Sequence, residues 1–228
     1  MTDLPPKPGA KQMLGKLLPP ALLKERSTFL RLGPIAGPIY ARMRLLDWMG
    51  MRSSNVTGVV PGARSFLFVC FGNLMRSPMA EAMFRKAIAA AQLNEIRAAS
   101  AGLHAVAGTE AHPWAMTAAQ ERNLSLTGHR AQSVTGAMVA DADVIFAMDF
   151  QNKAELIAQY PESKDKVVML SSYANGPQRG REIADPYFGD LAATRECYSI
   201  LQSCIENLVE ALVQKERQHN TLEADVSR

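Results

Sequence analysis

Residues 65–85 read SFLFVCFGNLMRSPMAEAMFR and place a cysteine and an arginine, Cys70 and Arg76, on one short loop. An apolar strand at 66–69 runs into this loop, and a helical pattern begins near Pro78, a residue favoured at the first helical position. Such a loop directs successive backbone N–H groups inward, and the positive end of the following helix adds to them. The segment therefore predicts a strand, an oxyanion-binding loop and a helix in succession.

A cysteine at the edge of such a loop is placed to act as a nucleophile. The N–H groups and the helix end stabilise the thiolate of Cys70, which is the reactive form of cysteine. Arg76 adds a planar, permanently charged guanidinium that can hold two oxygens of a phosphoryl group. The alternative is a buried structural cysteine. Polar Asn73 and Ser77, with Gly72 allowing close backbone approach, favour catalysis.

The loop also resembles the C-x-G-N-x-x-R-S-P-x-A-E motif of the low molecular weight protein tyrosine phosphatases. Four later segments resemble segments of that family, in the family's order: Ser100-Ala101-Gly102, Gly128 to Gln132, Asp143 to Asp149, and Asp185-Pro186-Tyr187. The resemblance runs from Ser65 to near Lys215. It implies a three-layer αβα fold with a central four-stranded parallel sheet and the phosphate-binding loop after the first strand.

The same resemblance implies a metal-independent phosphatase that hydrolyses phosphotyrosine in proteins through a phosphocysteine intermediate. Cys70 would attack phosphorus, Arg76 would bind the phosphoryl oxygens, and Asp185 would protonate the leaving oxygen and later activate water. The expected substrate-binding residues are the remaining loop residues and one aromatic residue: Phe71, Gly72, Asn73, Leu74, Met75, Ser77 and Tyr187. The hydrogen-bond network that supports the loop would consist of Asn73, Ser77, Ser100 and His129.

Leaving-group chemistry gives a separate reason for Asp185. An oxygen that departs from phosphorus needs a proton, and a carboxylic acid on a mobile loop stiffened by Pro186 can deliver one. Taken alone, Asp-Pro is an ordinary turn opening, but beside the Cys70 loop the role of acid is favoured. A lone histidine is more often structural, so His129 is assigned only a supporting role.

Two positions differ from common family patterns. Met75 stands where the family often has a second cysteine that can form a protective disulfide with the nucleophile, so this route to reversible oxidation is absent from the loop. Val106 stands where eukaryotic members have a bulky aromatic residue. In this the chain resembles bacterial members linked to exopolysaccharide kinases.

Charge is distributed unevenly along the 228 residues. Residues 1–64 carry a net charge of +7 (ten Lys and Arg against three acids), and the remainder carries −4 (fifteen against nineteen). This asymmetry predicts a basic extension with frequent Pro and Gly at 1–64, a catalytic domain at 65–215, and a polar tail at 216–228 that frays.

The extension contains a stripe of apolar residues at helical spacing: Ile39, Met43, Leu46 and Met49. Three interpretations stay open, namely packing on the catalytic domain or a partner, an amphipathic segment on a membrane surface, and disorder. No apolar run reaches the length of a membrane-spanning helix. The three cysteines, Cys70, Cys197 and Cys204, argue against a disulfide framework and for a reducing compartment, so a cytoplasmic location is expected.

From Ser65 onward the pattern alternates strands and helices, which favours a parallel sheet with helices on both faces. Strands are predicted at 66–69, 96–100, 143–148 and 167–170, and helices at 78–92, 113–123, 136–140, 150–159 and 190–214. In open α/β sheets ligands bind at the carboxyl ends of strands, which is where the Cys70 loop would lie.

No cofactor or metal is expected, because no Cys/His cluster has zinc-site spacing. No nucleic-acid partner is expected either, because the basic extension lacks interleaved aromatic residues. Three other functions stay open: an arsenate reductase, which would need resolving cysteines elsewhere than Cys197 and Cys204; an arginine phosphatase, which has Thr where Leu74 stands; and a catalytically silent phosphotyrosine-binding adaptor. The physiological substrate and the oligomeric state stay undetermined.

Overall fold

A single parallel sheet lies at the centre of the computed structural model, which describes residues 20–51 and 62–226. Its strands are β1 (Ser65–Cys70), β2 (Arg97–Gly102), β3 (Val144–Ala147) and β4 (Val167–Met169), in the spatial order β2-β1-β3-β4. In the register of β1 with its two neighbours, Cys70 pairs with Gly102 of β2 and Val69 pairs with Ala147 of β3. The predicted α/β fold with a four-stranded parallel sheet is therefore confirmed.

Helices cover both faces of this sheet. They are α1 (Pro20–Trp48), α2 (Arg76–Ala90), α3 (Pro113–Gln120), α4 (Gly136–Asp141), α5 (Phe150–Gln159) and α6 (Leu191–Val226). Because successive strand residues point to opposite faces, Phe66 and Phe68 enter one core with Tyr198, while Leu67 and Val69 enter the other. This produces the three-layer arrangement that the sequence predicts.

The last helix was predicted to end at residue 214, but α6 continues to Val226. Residues after 214 include Lys, Glu, Arg and Gln, which are good helix formers although they bury little. Arg64 also forms an ion pair with Glu216, which ties this part of α6 to the start of β1. The predicted end of this helix was therefore 12 residues too early, and residues 227–228 lie outside the described range.

The first helix is bent back on itself at Gly33, whose φ of 73° and ψ of −169° favour glycine. The bend lets Tyr40 donate a 2.6 Å hydrogen bond to Glu25, fifteen residues earlier. We call residues 20–48 the N-terminal hairpin, with arms at 20–32 and 34–48. The rest of the predicted extension, residues 1–19 and 52–61, lies outside the described residues.

The second arm of the hairpin packs on the catalytic domain. Ala36 and Tyr40 are buried in the same core as Phe150, and Ile39 and Met43 pack against it. The interpretation of Ile39 and Met43 as a membrane-facing stripe is thus wrong, since both side chains already contact the domain. Within residues 20–51 and 62–226, no helix combines the length and apolar character that crossing a membrane requires.

Candidate active site

The loop between β1 and α2 wraps around the thiol of Cys70. The backbone N–H of Asn73 donates to Cys70 Sγ at 3.3 Å, and Ser77 Oγ lies 3.0 Å from the same sulfur. Only 3% of Cys70 is exposed. A loop N–H therefore donates to the sulfur, and the Ser77 hydroxyl in the first turn of α2 contacts it as donor or acceptor.

Asn73 maintains the shape of the Cys70 loop through hydrogen bonds of its side chain and backbone. Its φ of 55° is in the left-handed region, which Asn tolerates better than most residues. Its Nδ2 donates to Ser77 Oγ (2.9 Å) and to Ser100 Oγ (3.0 Å), and its Oδ1 accepts from the backbone N–H of Gln132 (3.0 Å). His129 Nε2 lies 2.7 Å from the Asn73 carbonyl oxygen. The structure thus brings together all four residues of the predicted network.

Gly102, at the end of β2, lies against the loop so closely that a side chain would not fit. A Cβ atom at this position would lie 2.8 Å from Asn73 N and 2.9 Å from Phe71 O, which are backbone atoms that cannot rotate away. The glycine of the Ser100-Ala101-Gly102 segment is therefore a packing requirement of the loop.

Arg76, the first residue of α2, is almost fully buried at 1% exposure. Its Nη1 donates to Asp149 Oδ2 (2.6 Å) and to the Ile183 carbonyl (3.0 Å), and its Nη2 donates to Asp185 Oδ2 (2.5 Å). Burial alone would lower the pKa of Arg76, but the charges of Asp149, Asp185 and Cys70 raise it above its ordinary value. The guanidinium is therefore a fixed positive charge.

The Nε atom of Arg76 is buried and has no hydrogen-bond partner among the described residues. A buried, unsatisfied N–H of a charged group is costly, which makes it informative about function. A phosphoryl oxygen is the acceptor that such an N–H fits.

Asp149 is a site residue whose role sequence reasoning missed. It follows β3, caps α5 by accepting from Asn152 N at 2.7 Å, and orients Arg76 with its other oxygen. The sequence position of Asp149 could have indicated this role. An Asp between a buried strand and a helix lies at the same carboxyl edge of the sheet as the Cys70 loop. Gln132 was also missed; its Nε2 donates to the Ser100 carbonyl at 2.9 Å.

Exposed aromatic side chains adjoin the loop. Phe71 is 37% exposed and stacks on His104 with the ring centroids 4.5 Å apart. Tyr187 is 43% exposed and makes edge contacts with His112 (5.5 Å) and Phe188 (4.9 Å). These side chains provide an apolar, flat surface beside the buried sulfur.

The other predicted substrate-binding residues are placed differently. The side chains of Asn73 and Ser77 are fully buried in the network, and Met75 packs in the core. These three residues can reach a ligand only through their backbone. Leu74 is partly buried against the same core. In residues 20–51 and 62–226, no group of three or more His, Cys, Asp and Glu side chains is arranged to hold a metal ion.

Known proteins resemble this chain in sequence. The family model described as low molecular weight phosphotyrosine protein phosphatase matches residues 65–219. The probable low molecular weight protein-tyrosine-phosphatase EpsP of Ralstonia nicotianae is 34% identical over 143 residues, covering 63% of this chain and 92% of that protein. The protein-arginine-phosphatase of Bacillus subtilis is 32% identical over 151 residues, covering 66% and 98% respectively.

A solved structure also resembles this chain. The crystal structure of the Erwinia amylovora tyrosine phosphatase AmsI is 33% identical, covers 65% of this chain and 93% of its own, and superimposes with a TM-score of 0.59. The matched region contains β1 to most of α6, and with them the Cys70 loop, Arg76 and Asp185. The chain belongs to the low molecular weight phosphotyrosine protein phosphatase family.

Proposed function

We propose that the protein hydrolyses phosphotyrosine in protein substrates through a phosphocysteine intermediate. The observation that carries this proposal is the buried, unpaired Nε of Arg76 beside a sulfur that already accepts from the loop. The Cys70 sulfur can attack a phosphoryl group, and the adjacent Nε of Arg76 can donate a hydrogen bond to one of its oxygens. The family to which the chain belongs supports the same activity.

In the first step, Cys70 Sγ attacks phosphorus as the bond to the tyrosine oxygen breaks. The loop N–H groups and Arg76 hold the phosphoryl oxygens, and protonated Asp185 transfers its proton to the departing phenolate. In the second step, ionised Asp185 takes a proton from water as the water oxygen attacks phosphorus. The S–P bond then breaks, and phosphate and the thiolate are released.

An aromatic substrate suits the surface beside the sulfur. Phe71 and Tyr187 are partly exposed, and flat rings of this kind contact a phenyl ring favourably in stacked or edge geometries. The depth of the buried Cys70 favours a long aryl phosphate over a short alkyl one. A bacterial tyrosine kinase of exopolysaccharide synthesis is a suitable protein substrate, given the resemblance of the Val106 region to bacterial members.

An arginine phosphatase is the second candidate, because relatives of similar identity carry that name. Against it stands Leu74, a bulky residue where the resemblance expects Thr in arginine-specific members. A side-by-side assay of the purified full chain separates the possibilities, with a phosphotyrosine peptide, a phosphoarginine substrate, and arsenate with thiol. We expect turnover of the phosphotyrosine peptide to exceed the other two.

The control for this assay uses two cysteines of the same chain. Cys70→Ser should abolish turnover yet keep phosphate binding, because a hydroxyl lacks the nucleophilicity of a thiolate. Cys204→Ser, at a core position on α6, should keep the activity. Residual Cys70→Ser activity within about tenfold of the unmodified protein would exclude the thiolate mechanism, since loss of a nucleophile costs far more.

We also propose a reducing compartment, the cytoplasm, because all three cysteines are free thiols in the structure. Peripheral contact with an anionic membrane is a further part of this proposal. It is supported by the charge of residues 1–64 and by apolar side chains that the hairpin leaves exposed, among them Leu30, Ile35 and Trp48.

A further inference from the structure

One arginine of the N-terminal hairpin, Arg44, reaches two carboxylates, one in the hairpin and one in the catalytic domain. Arg44 Nε donates to Glu25 Oε2 at 2.9 Å, and Arg44 Nη2 pairs with the other oxygen of Glu25. The third nitrogen, Nη1, donates to Glu182 Oε2 at 2.9 Å. One guanidinium therefore links the first arm of the hairpin, through the second, to a loop of the catalytic domain.

Glu182 is held from a second direction as well. Its Oε1 accepts from the backbone N–H of Phe150 at 3.0 Å, at the start of α5 and next to Asp149. Burial raises the pKa of Glu182, and the charge of Arg44 opposes this shift. Loss of Arg44 would leave a partly buried carboxylate without its counterion, so the Glu182 segment would be expected to shift.

Glu182 precedes Asp185 by three residues, and the residue after Glu182 contacts the site directly. Ile183 N donates to the Met148 carbonyl at 2.8 Å, and the Ile183 carbonyl accepts from Arg76 at 3.0 Å. The path from the hairpin to the proposed acid thus consists of one ion pair and three residues along the loop. The Asp185 side chain is 40% exposed and pairs with Arg76.

We propose that Arg44 and Glu182 are positioning residues for Asp185, and that the N-terminal hairpin thereby sets the efficiency of proton transfer to the leaving group. The inference rests on the proposed phosphatase function. The simpler alternative is that this ion pair only attaches the hairpin. The side chains of Arg44 and Glu182 are 33% and 29% exposed, and partly exposed ion pairs contribute little to stability. Orienting Asp185, by contrast, requires only that the pair hold a fixed geometry.

The test compares kcat/KM of full-length variants on two aryl phosphates. Phenyl phosphate has a poor leaving group that needs a proton, and 2,4-dinitrophenyl phosphate has a good one that does not. Arg44→Met and Glu182→Gln should each lower kcat/KM for phenyl phosphate by about 10- to 100-fold, the range expected for a misplaced catalytic group. The value for dinitrophenyl phosphate should change little.

Two further variants make the result specific. Arg42→Met removes the same charge from an exposed position on the same arm and should alter neither substrate. Arg44→Lys should restore part of the loss on phenyl phosphate, because it keeps a charge near Glu182. If Arg44→Met does not fold, Glu182→Gln decides alone, since it preserves the shape of the side chain.

Equal losses on both substrates, or no loss on either, would overturn the positioning role. Neither result would contradict the proposed phosphatase function, because the activity of the unmodified protein on both phosphates is measured first. An unmodified protein without activity on either phosphate would instead refute the phosphatase proposal itself.

Discussion

Arg76 Nη2 donates a 2.5 Å hydrogen bond to Asp185 Oδ2, so the guanidinium proposed to bind phosphate already holds the carboxylate proposed as acid. A phosphoryl group that enters the loop competes with Asp185 for the same donor. Substrate binding would therefore release Asp185 from Arg76.

This competition predicts that Asp185→Asn binds inorganic phosphate more tightly. The change removes a charge that repels phosphate and weakens the pairing with Arg76, and we expect the inhibition constant to fall by about tenfold, or about 1.4 kcal/mol. The control is Asp190→Asn, five residues away, where Asn can still accept from Ala193 N at the start of α6. Unchanged or weaker phosphate binding by Asp185→Asn would mean that phosphate and Asp185 do not compete for Arg76.

Hydrolysis by Asp185→Asn should depend on the leaving group. For phenyl phosphate we expect a loss of roughly 10²- to 10⁴-fold in kcat/KM, because no proton is supplied to the departing oxygen. The loss should shrink for dinitrophenyl phosphate. If both substrates lose activity equally, Asp185 shapes the loop and does not donate a proton.

Peroxide should inactivate the protein by oxidising Cys70 without forming a rescuing disulfide. Burial raises the pKa of Cys197 and of Cys204 to about 12, so both remain protonated thiols at neutral pH and are poor resolving groups. Position 75 is Met. Mass spectrometry after peroxide treatment should find Cys70 in its oxyacid forms. A Cys70–Cys197 disulfide in protein that regains activity with thiol would contradict this expectation.

Gly102→Ala should damage the loop although the residue touches no substrate. The new Cβ would meet backbone atoms of Gly72 and Asn73 at 2.8 Å, and overpacking of this kind costs about 1–3 kcal/mol of unfolding free energy. We expect a lower Tm and weaker phosphate binding together. Gly136→Ala is the matched control, because a Cβ there makes only an ordinary contact with Tyr160. Intact phosphate binding in Gly102→Ala would show that the loop can move aside.

Sedimentation with vesicles tests the membrane part of the proposal. The full chain should bind anionic vesicles reversibly, bind them less as salt is added, and bind neutral vesicles poorly. The chain has two tryptophans, which supply a matched pair. Trp48→Ser, 84% exposed on the hairpin, should weaken binding, whereas Trp114→Ser on α3 should not. If the two variants behave alike, the hairpin face does not contact the membrane.

The contiguous parts of the site were predictable from the sequence. Cys70, Asn73, Arg76 and Ser77 lie between the end of β1 and the first turn of α2, so strand, loop and helix patterns place them together without knowledge of the fold. Ser100 and His129 needed the family resemblance, because neither has a local feature that marks it. The parallel sheet followed from alternation of strands and helices and is confirmed.

The long-range ion pairs were not predictable. Arg44 and Glu182 are separated by 138 positions, and no local pattern shows that an arginine on an N-terminal helix meets a loop before α6. The bend that makes this contact possible lies at Gly33-Pro34, which marks a helix break in the sequence but does not show where the second arm goes. The pairing of Arg76 with Asp185 likewise depends on how two loops meet at one edge of the sheet.

The bend at Gly33 has a consequence for how copies of the chain could associate. A straight helix over the 29 residues of α1 would be about 43 Å long and would carry the first arm away from the rest of its own chain. The apolar residues of that arm would then need another surface to cover them, and an identical one exists on every other copy. Gly33 is thus the hinge at which a monomer could convert into a domain-swapped dimer, with the same contacts formed between chains.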